Sequence, residues 1–195
     1  MIRVQKVTKP TYFDKRVHIP GQEWLEKHPS AKRPKAYWDC CIVDLAQGFD
    51  SLCGYAAMLD PTGGTVDHYI SFNTRRDMAY DWSNYRFASG TLNCSKQNAD
   101  DTVLDPFEVG EGWFEILLPS LQMCATDSVP KRLRKKAEFT LDRLKLRDGE
   151  RVIRWRQSWY EMFTNGILTL DGLRRVAPLI AKAVEKIKST NGIAP

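Results

Sequence analysis

The chain has 195 residues, 43% of them hydrophobic and 27% charged, with a formal net charge of +5. That balance suits one domain with a packed core, and excludes a disordered chain, a collagen-like repeat and a disulfide scaffold. No apolar run reaches the ~18 residues of a membrane span, and the opening residues MIRVQK lack an apolar signal core, so a cytoplasmic protein with no membrane segment is expected.

In chain order, residues 1–34 carry Pro10, Pro20, Pro29 and Pro34 and read as an irregular arm with one short helix near Gln22–Lys27. Trp38, Cys41, Ile42, Leu45 and Phe49 recur at helical spacing, which predicts an amphipathic helix over 36–49. Segments 51–60 and 64–70 flank Pro61-Thr62-Gly63-Gly64 and read as a β-hairpin. Residues 71–88 read as a loop anchored by Tyr80, Trp82 and Tyr85, residues 90–98 as a short helix, and 113–118 as a strand. Val129, Leu133, Ala137, Thr140, Leu141 and Leu144 form a helical stripe. Asp148-Gly149 breaks it, with Asp148 as a plausible N-cap for a second helix carrying Val152, Trp155, Trp159 and Phe163. A third stripe, Leu173 to Ile187, is interrupted by Pro178, which must kink or restart the helix. That stripe either packs within the chain or docks a partner or a second copy.

Charge is unevenly placed. Residues 1–128 hold 13 basic and 17 acidic residues, a net of −4, whereas residues 129–195 hold 16 and 7, a net of +9. The densest basic run includes Lys131, Arg132, Arg134 and Lys135. Such a run is either a solvated helix face or a surface for nucleic acid, whose phosphates supply much of the affinity for basic proteins. The five cysteines (40, 41, 53, 94 and 124) show no C-x-x-C spacing and read as free thiols. With only His18, His28 and His68, a site built from several imidazoles is disfavoured.

The chemistry-bearing stretch is 66–98. Asp67 directly precedes His68, just past the expected turn, and neighbours on a strand face opposite sides. One could serve a metal and the other a water. Asn84 follows in Trp82-Ser83-Asn84, sixteen residues after His68, and Asn93 comes nine residues later, with Lys96 one helical turn beyond. Asn84 could equally cap a turn, and Asn93 could simply start a helix.

This ordered set resembles the HNH endonuclease family, whose core is the ββα-metal fold. The resemblance covers about residues 50–107, and Leu104-Asp105-Pro106-Phe107 and Gly112-Trp113-Phe114 look like a bacterial subgroup of it. It implies an α+β fold: an N-terminal arm and helix over 1–50, a ββα-metal nuclease core over 51–107, and a basic, mainly helical region over 108–195. It implies a metal-dependent endonuclease acting on DNA, with His68 as general base and Asn84 orienting its imidazole. Asp67 and Asn93 would hold a single Mg²⁺ or Mn²⁺, with Asn98 an alternative to Asn93. Lys96 and Arg86 would contact phosphate beside the basic run. Relatives of this kind resemble nuclease subunits of anti-phage defence systems, which work with an ATPase partner. RNA cleavage by the same residues, or a silent nucleic-acid-binding or scaffold module, are the alternatives. Many HNH proteins carry two zinc-binding C-x-x-C pairs. Here only Cys53 remains, with Ala56, Ser89 and Leu92 at the other positions, so no structural zinc is expected.

Overall fold

A computed structural model describes residues 1–190 and gives an α+β architecture. Within the arm, a wide π-helical turn at Asp14–His18 runs into helix α1 (Ile19–Lys27), which therefore starts earlier than expected. Pro20 has no amide to donate, and the wide turn directly before it is where the regular ladder is interrupted. The helix face carrying Phe13, Val17 and Gly21 is buried, and a Cβ on Gly21 would lie 2.3 Å from the Tyr80 ring. The 36–49 pattern is realised in two pieces, a 3₁₀ turn over Tyr37–Cys41 and α2 (Ile42–Gly48), which bury Trp38, Cys41 and Leu45.

The expected 51–60/64–70 hairpin does not form. Residues 52–59 make a tight turn held by the Cys53 amide donating to the Met58 carbonyl (2.9 Å) and a single bridge between Leu52 and Leu59. Strand β1 (Thr65–His68) pairs instead with β2 (Tyr85–Ala88), antiparallel, with Asp67 opposite Arg86 and His68 opposite Tyr85. All four β2 residues are buried, so its sequence shows none of the apolar–polar alternation that marks a half-exposed strand. Gly64 opens this pair at φ +67°, where a Cβ would lie 2.4 Å from the Phe87 ring. Helix α3 (Gly90–Lys96) follows β2 directly, so β1, β2 and α3 form a strand–strand–helix unit.

A second hairpin, β3 (Phe114–Leu117) and β4 (Gln122–Ala125), confirms the expected strand and supplies its unanticipated partner. Four helices complete the fold: α4 (Lys131–Arg143), α5 (Glu150–Thr164), α6 (Leu170–Val176) and α7 (Pro178–Thr190). The N-cap of α5 is Gly149, not Asp148, and no side chain caps it. Pro178 restarts the chain as α7. The apolar stripe of α6 and α7 turns inward: Leu173, Ala177, Ile180, Ala181 and Val184 are buried in the core of this chain.

Two apolar clusters hold the molecule together. One gathers Phe13, Trp38, Leu45, Tyr80, Tyr85 and Phe87, and the other gathers Tyr55, Leu92, Leu104 and the β3–β4 and C-terminal elements. The strand–strand–helix unit sits between them, Val66 and Phe87 facing the first and Ala88 and Leu92 the second. Residues 51–107 thus contribute to both cores. No described helix is long and apolar enough to cross a membrane.

Candidate functional site

Strand alternation sends Asp67 and His68 to opposite sides of β1, as expected. His68 enters an aromatic enclosure. Its ring meets Trp38, Phe72 and Tyr85 edge-on, with centroids 4.5, 5.3 and 5.1 Å away. It is 7% exposed, and burial pulls its pKa from 6.5 down to about 4, so the imidazole is neutral at neutral pH. Nε2 lies 2.8 Å from the Ala79 carbonyl. A carbonyl only accepts, so Nε2 carries the proton and Nδ1 keeps the lone pair. Nδ1 has no hydrogen-bond partner among the described residues.

The resemblance assigned Asn84 a hydrogen bond to the imidazole. In the structure it makes none and acts through the backbone instead. Its Oδ1 accepts from the Ile70 amide (2.7 Å), while Nδ2 donates to the carbonyls of Ile70 (2.9 Å) and Met78 (3.1 Å). Asn84 sits in a one-turn 3₁₀ segment just before β2, facing the loop that leaves β1. It therefore ties the start of that loop to Met78, which directly precedes the Ala79 carbonyl that receives His68. The Tyr85 hydroxyl donates to the same carbonyl (2.8 Å), fixing it from a second direction.

On the other face of β1, Asp67 is sealed. Lys96 Nζ donates to Asp67 Oδ1 (3.0 Å) and to the His68 carbonyl (2.7 Å), and the Tyr55 hydroxyl donates to Asp67 Oδ2 (2.6 Å). Both side chains of the ion pair are 1% exposed. Burial first, and then the Asp67 charge, push the Tyr55 hydroxyl well above its ordinary pKa, so it stays a donor. Lys96 is thus not the phosphate contact expected of it. It balances a buried carboxylate, because a two-turn helix laid on a strand must bury one side.

A cavity of about 250 Å³ beside β1 is lined by His68 and Asn93, with Trp38, Asn73 and Asn98; residue 67 borders it, while its carboxylate is held on the other face of the strand by Lys96 and Tyr55. Asn93 donates from Nδ2 to the Val66 carbonyl (3.3 Å). Asn98, the alternative ligand, is engaged through Oδ1 by the Ser71 hydroxyl (2.9 Å) and Asn73 Nδ2 (3.3 Å). Among the described residues no group of three or more His, Cys, Asp or Glu side chains is placed to hold a metal ion. The Lys96 ammonium itself stands against Asp67 as a cation would. The donor set therefore fits a divalent ion only in exchange for Lys96, with Asp67 as the anionic ligand and Asn93 as a neutral oxygen from α3.

Arg86 is likewise turned inward, at 4% exposure. It forms a bidentate pair with Asp105 (Nε–Oδ1 2.6 Å, Nη2–Oδ2 2.5 Å), donates to the Ser83 and Tyr85 carbonyls, and stacks over Phe107 at 4.1 Å. The Leu104-Asp105-Pro106-Phe107 motif is thus the clamp for a buried strand arginine. Of the basic run, Lys131, Arg132 and Lys135 are exposed as expected. Arg134 is not free: it donates to the Thr126 and Ala125 carbonyls and pairs with Glu138. Where relatives would hold zinc, Cys53 is buried with Sγ accepting the Ser89 amide (3.2 Å), and Ala56 and Leu92 pack in the same apolar cluster.

Sequence reasoning missed Tyr55, Trp38 and Arg33, which stand at or beside the site. Their signal was indirect: Trp38 read as part of an amphipathic helix, Tyr55 fell within an expected strand, and Arg33 within the arm. Comparison with protein-family models found no match, and comparison with curated proteins found none either.

Proposed function

We propose that this protein is an HNH-type endonuclease that hydrolyses phosphodiester bonds in DNA, with His68 as general base and Asn84 as its positioning residue. The observation that carries the reading is the neutral, tethered imidazole at the end of β1, in a polar cavity shared with Asn93 of α3. A histidine protonated at Nε2 offers the Nδ1 lone pair to a water. As Nδ1 takes a proton, the Nε2–H···O=C bond to Ala79 strengthens and stabilises the imidazolium. The aromatic enclosure fixes the ring plane, so little reorientation is needed at the moment of transfer. Asn93, and Asp67 once released from Lys96, would hold Mg²⁺ or Mn²⁺, which when bound supplies charge stabilisation to the phosphate.

One observation favours a second reading, a silent nucleic-acid-binding module: the carboxylate expected to bind the ion is already neutralised. Digestion of labelled duplex DNA, single-stranded DNA and RNA separates the two, with Mg²⁺, with Mn²⁺ and in EDTA. Cleavage by the parent that His68→Ala abolishes supports the nuclease. Binding without cleavage under every condition supports the module.

A further inference from the structure

The outer face of α4 carries a stripe that the site has not used. Arg132, Lys135, Lys136, Phe139 and Arg143 recur at three- and four-residue steps, so they share one side of the helix. Ala137, Thr140, Leu141 and Leu144 occupy the opposite, buried side. Phe139 stands in the middle of the cations, 45% exposed, with no ring partner among the described residues. An exposed phenyl group costs free energy in water and gives nothing to the core, so its surroundings matter. Arg132 and Lys135 form no ion pair among the described residues. Of the acidic residues on the same helix, Asp142 borders the stripe, three residues from Phe139, and pairs with Arg147, while Glu138 pairs with Arg134 and Arg147.

The stripe also leads to the cavity. Lys136 Nζ donates to the Tyr69 hydroxyl (3.3 Å), next to His68 in the chain. Arg143 Nη2 donates to the Lys96 carbonyl (3.2 Å) and to Gln97 Oε1 (3.4 Å), and Gln97 lines the His68 cavity. From Arg132 to Arg143 the helix advances about 17 Å, at 1.5 Å per residue.

We propose that this face binds a single-stranded segment of nucleic acid: the cations follow its phosphates, and one unpaired base stacks on Phe139. Charge complementarity selects a polyanion, and the central aromatic selects one with an open base face, which duplex DNA does not offer. The proposal rests on the nucleic-acid part of the proposed function and not on hydrolysis.

The test is fluorescence anisotropy of the full chain with a labelled 12-nucleotide oligothymidine and a 12-base-pair duplex, in EDTA, at several salt concentrations. Phe139→Ala is expected to weaken single-strand binding about tenfold and duplex binding less than about twofold, with Phe139→Trp retaining the affinity. Arg132→Gln with Lys135→Gln is expected to lower the salt slope by about 1.4 on the single strand. Unchanged single-strand affinity in Phe139→Ala overturns the proposal, as does equal loss on both ligands or binding of duplex alone. Sedimentation that shows self-association lost in Phe139→Ala would assign the face to a second copy and also overturn it. Phe139-dependent binding by a protein that cuts nothing keeps this inference and removes the nuclease, and the converse result does the reverse.

Discussion

Replacing Lys96 by Met is the most informative perturbation of the site. Met keeps most of the aliphatic stem and removes the ammonium, leaving Asp67 with the Tyr55 hydroxyl as its one side-chain donor among the described residues. Both partners are 1% exposed, and stripping one member from such a pair costs about 3–5 kcal/mol. Losing the bond to the His68 carbonyl adds about 1 kcal/mol. At about 2–4 °C per kcal/mol for a chain of this size, Tm should fall by about 8–24 °C. Adding Asp67→Asn removes the stranded charge, so the double variant should recover most of that loss. If Lys96 occupies the cation's place, Mg²⁺ should stabilise Lys96→Met but not the parent, by about 3 kcal/mol at a hundredfold excess over its Kd. Thermal melts of the parent, Lys96→Met, Asp67→Asn and the double variant, with MgCl₂ and with EDTA, read all of this. A Lys96→Met protein that melts within ~2 °C of the parent, or losses that simply add in the double variant, would refute the reasoning.

Three further outcomes follow from the same geometry. The His68 pKa is lowered from 6.5 to about 4 in the folded chain, so between these values the unfolded state binds more protons and stability rises with pH. Its contribution is complete above about pH 6.5, is lost progressively as pH falls to 4, and amounts to about 3 kcal/mol. Urea titrations from pH 3.5 to 7.5 should show this slope in the parent and lose that part of it in His68→Asn. Cleavage should keep its acid limb near pH 4 to 5, and a limb near 6.5 would mean that the imidazole which matters is not the buried one. Asn84→Ala, at a site 2% exposed with three backbone hydrogen bonds, should cost about 3 kcal/mol in a denaturant melt. It should also lower kcat about a hundredfold at saturating substrate, because Met78, the residue before the Ala79 carbonyl, loses its tether to Asn84.

The helices of the C-terminal third were legible because their apolar stripes keep the 3.6-residue period, and α4, α5 and the α6–α7 pair lie where those stripes do. Strand β2 was hidden because Tyr85, Arg86, Phe87 and Ala88 are all buried, and Arg86 made the segment look like a loop. The Pro-Gly turn at 61–64 suggested a local hairpin, but the pairing strand comes from 85–88 after a long aromatic loop. Local turn chemistry cannot reveal a partner that lies twenty residues on. At the site, the Asp-His, Asn and Asn-x-x-Lys segments do lie side by side. What it could not show was direction. Asn93 and Lys96 share a helix face by spacing, so one that faces β1 draws the other with it. The outcome was a lysine matched to Asp67 and an asparagine reaching a backbone carbonyl. Arg86 was misplaced for the same reason: its partner Asp105 lies nineteen residues away, and only the packed fold brings the pair together.

The most direct measurement of the central claim is cleavage of a labelled duplex and a labelled single strand by the parent and by His68→Ala, each shown to be folded by circular dichroism. The parent should cut in the presence of Mg²⁺ or Mn²⁺, and His68→Ala should lose cutting by at least about a hundredfold while its affinity in EDTA stays within about twofold. Equal cleavage by both proteins would contradict the account.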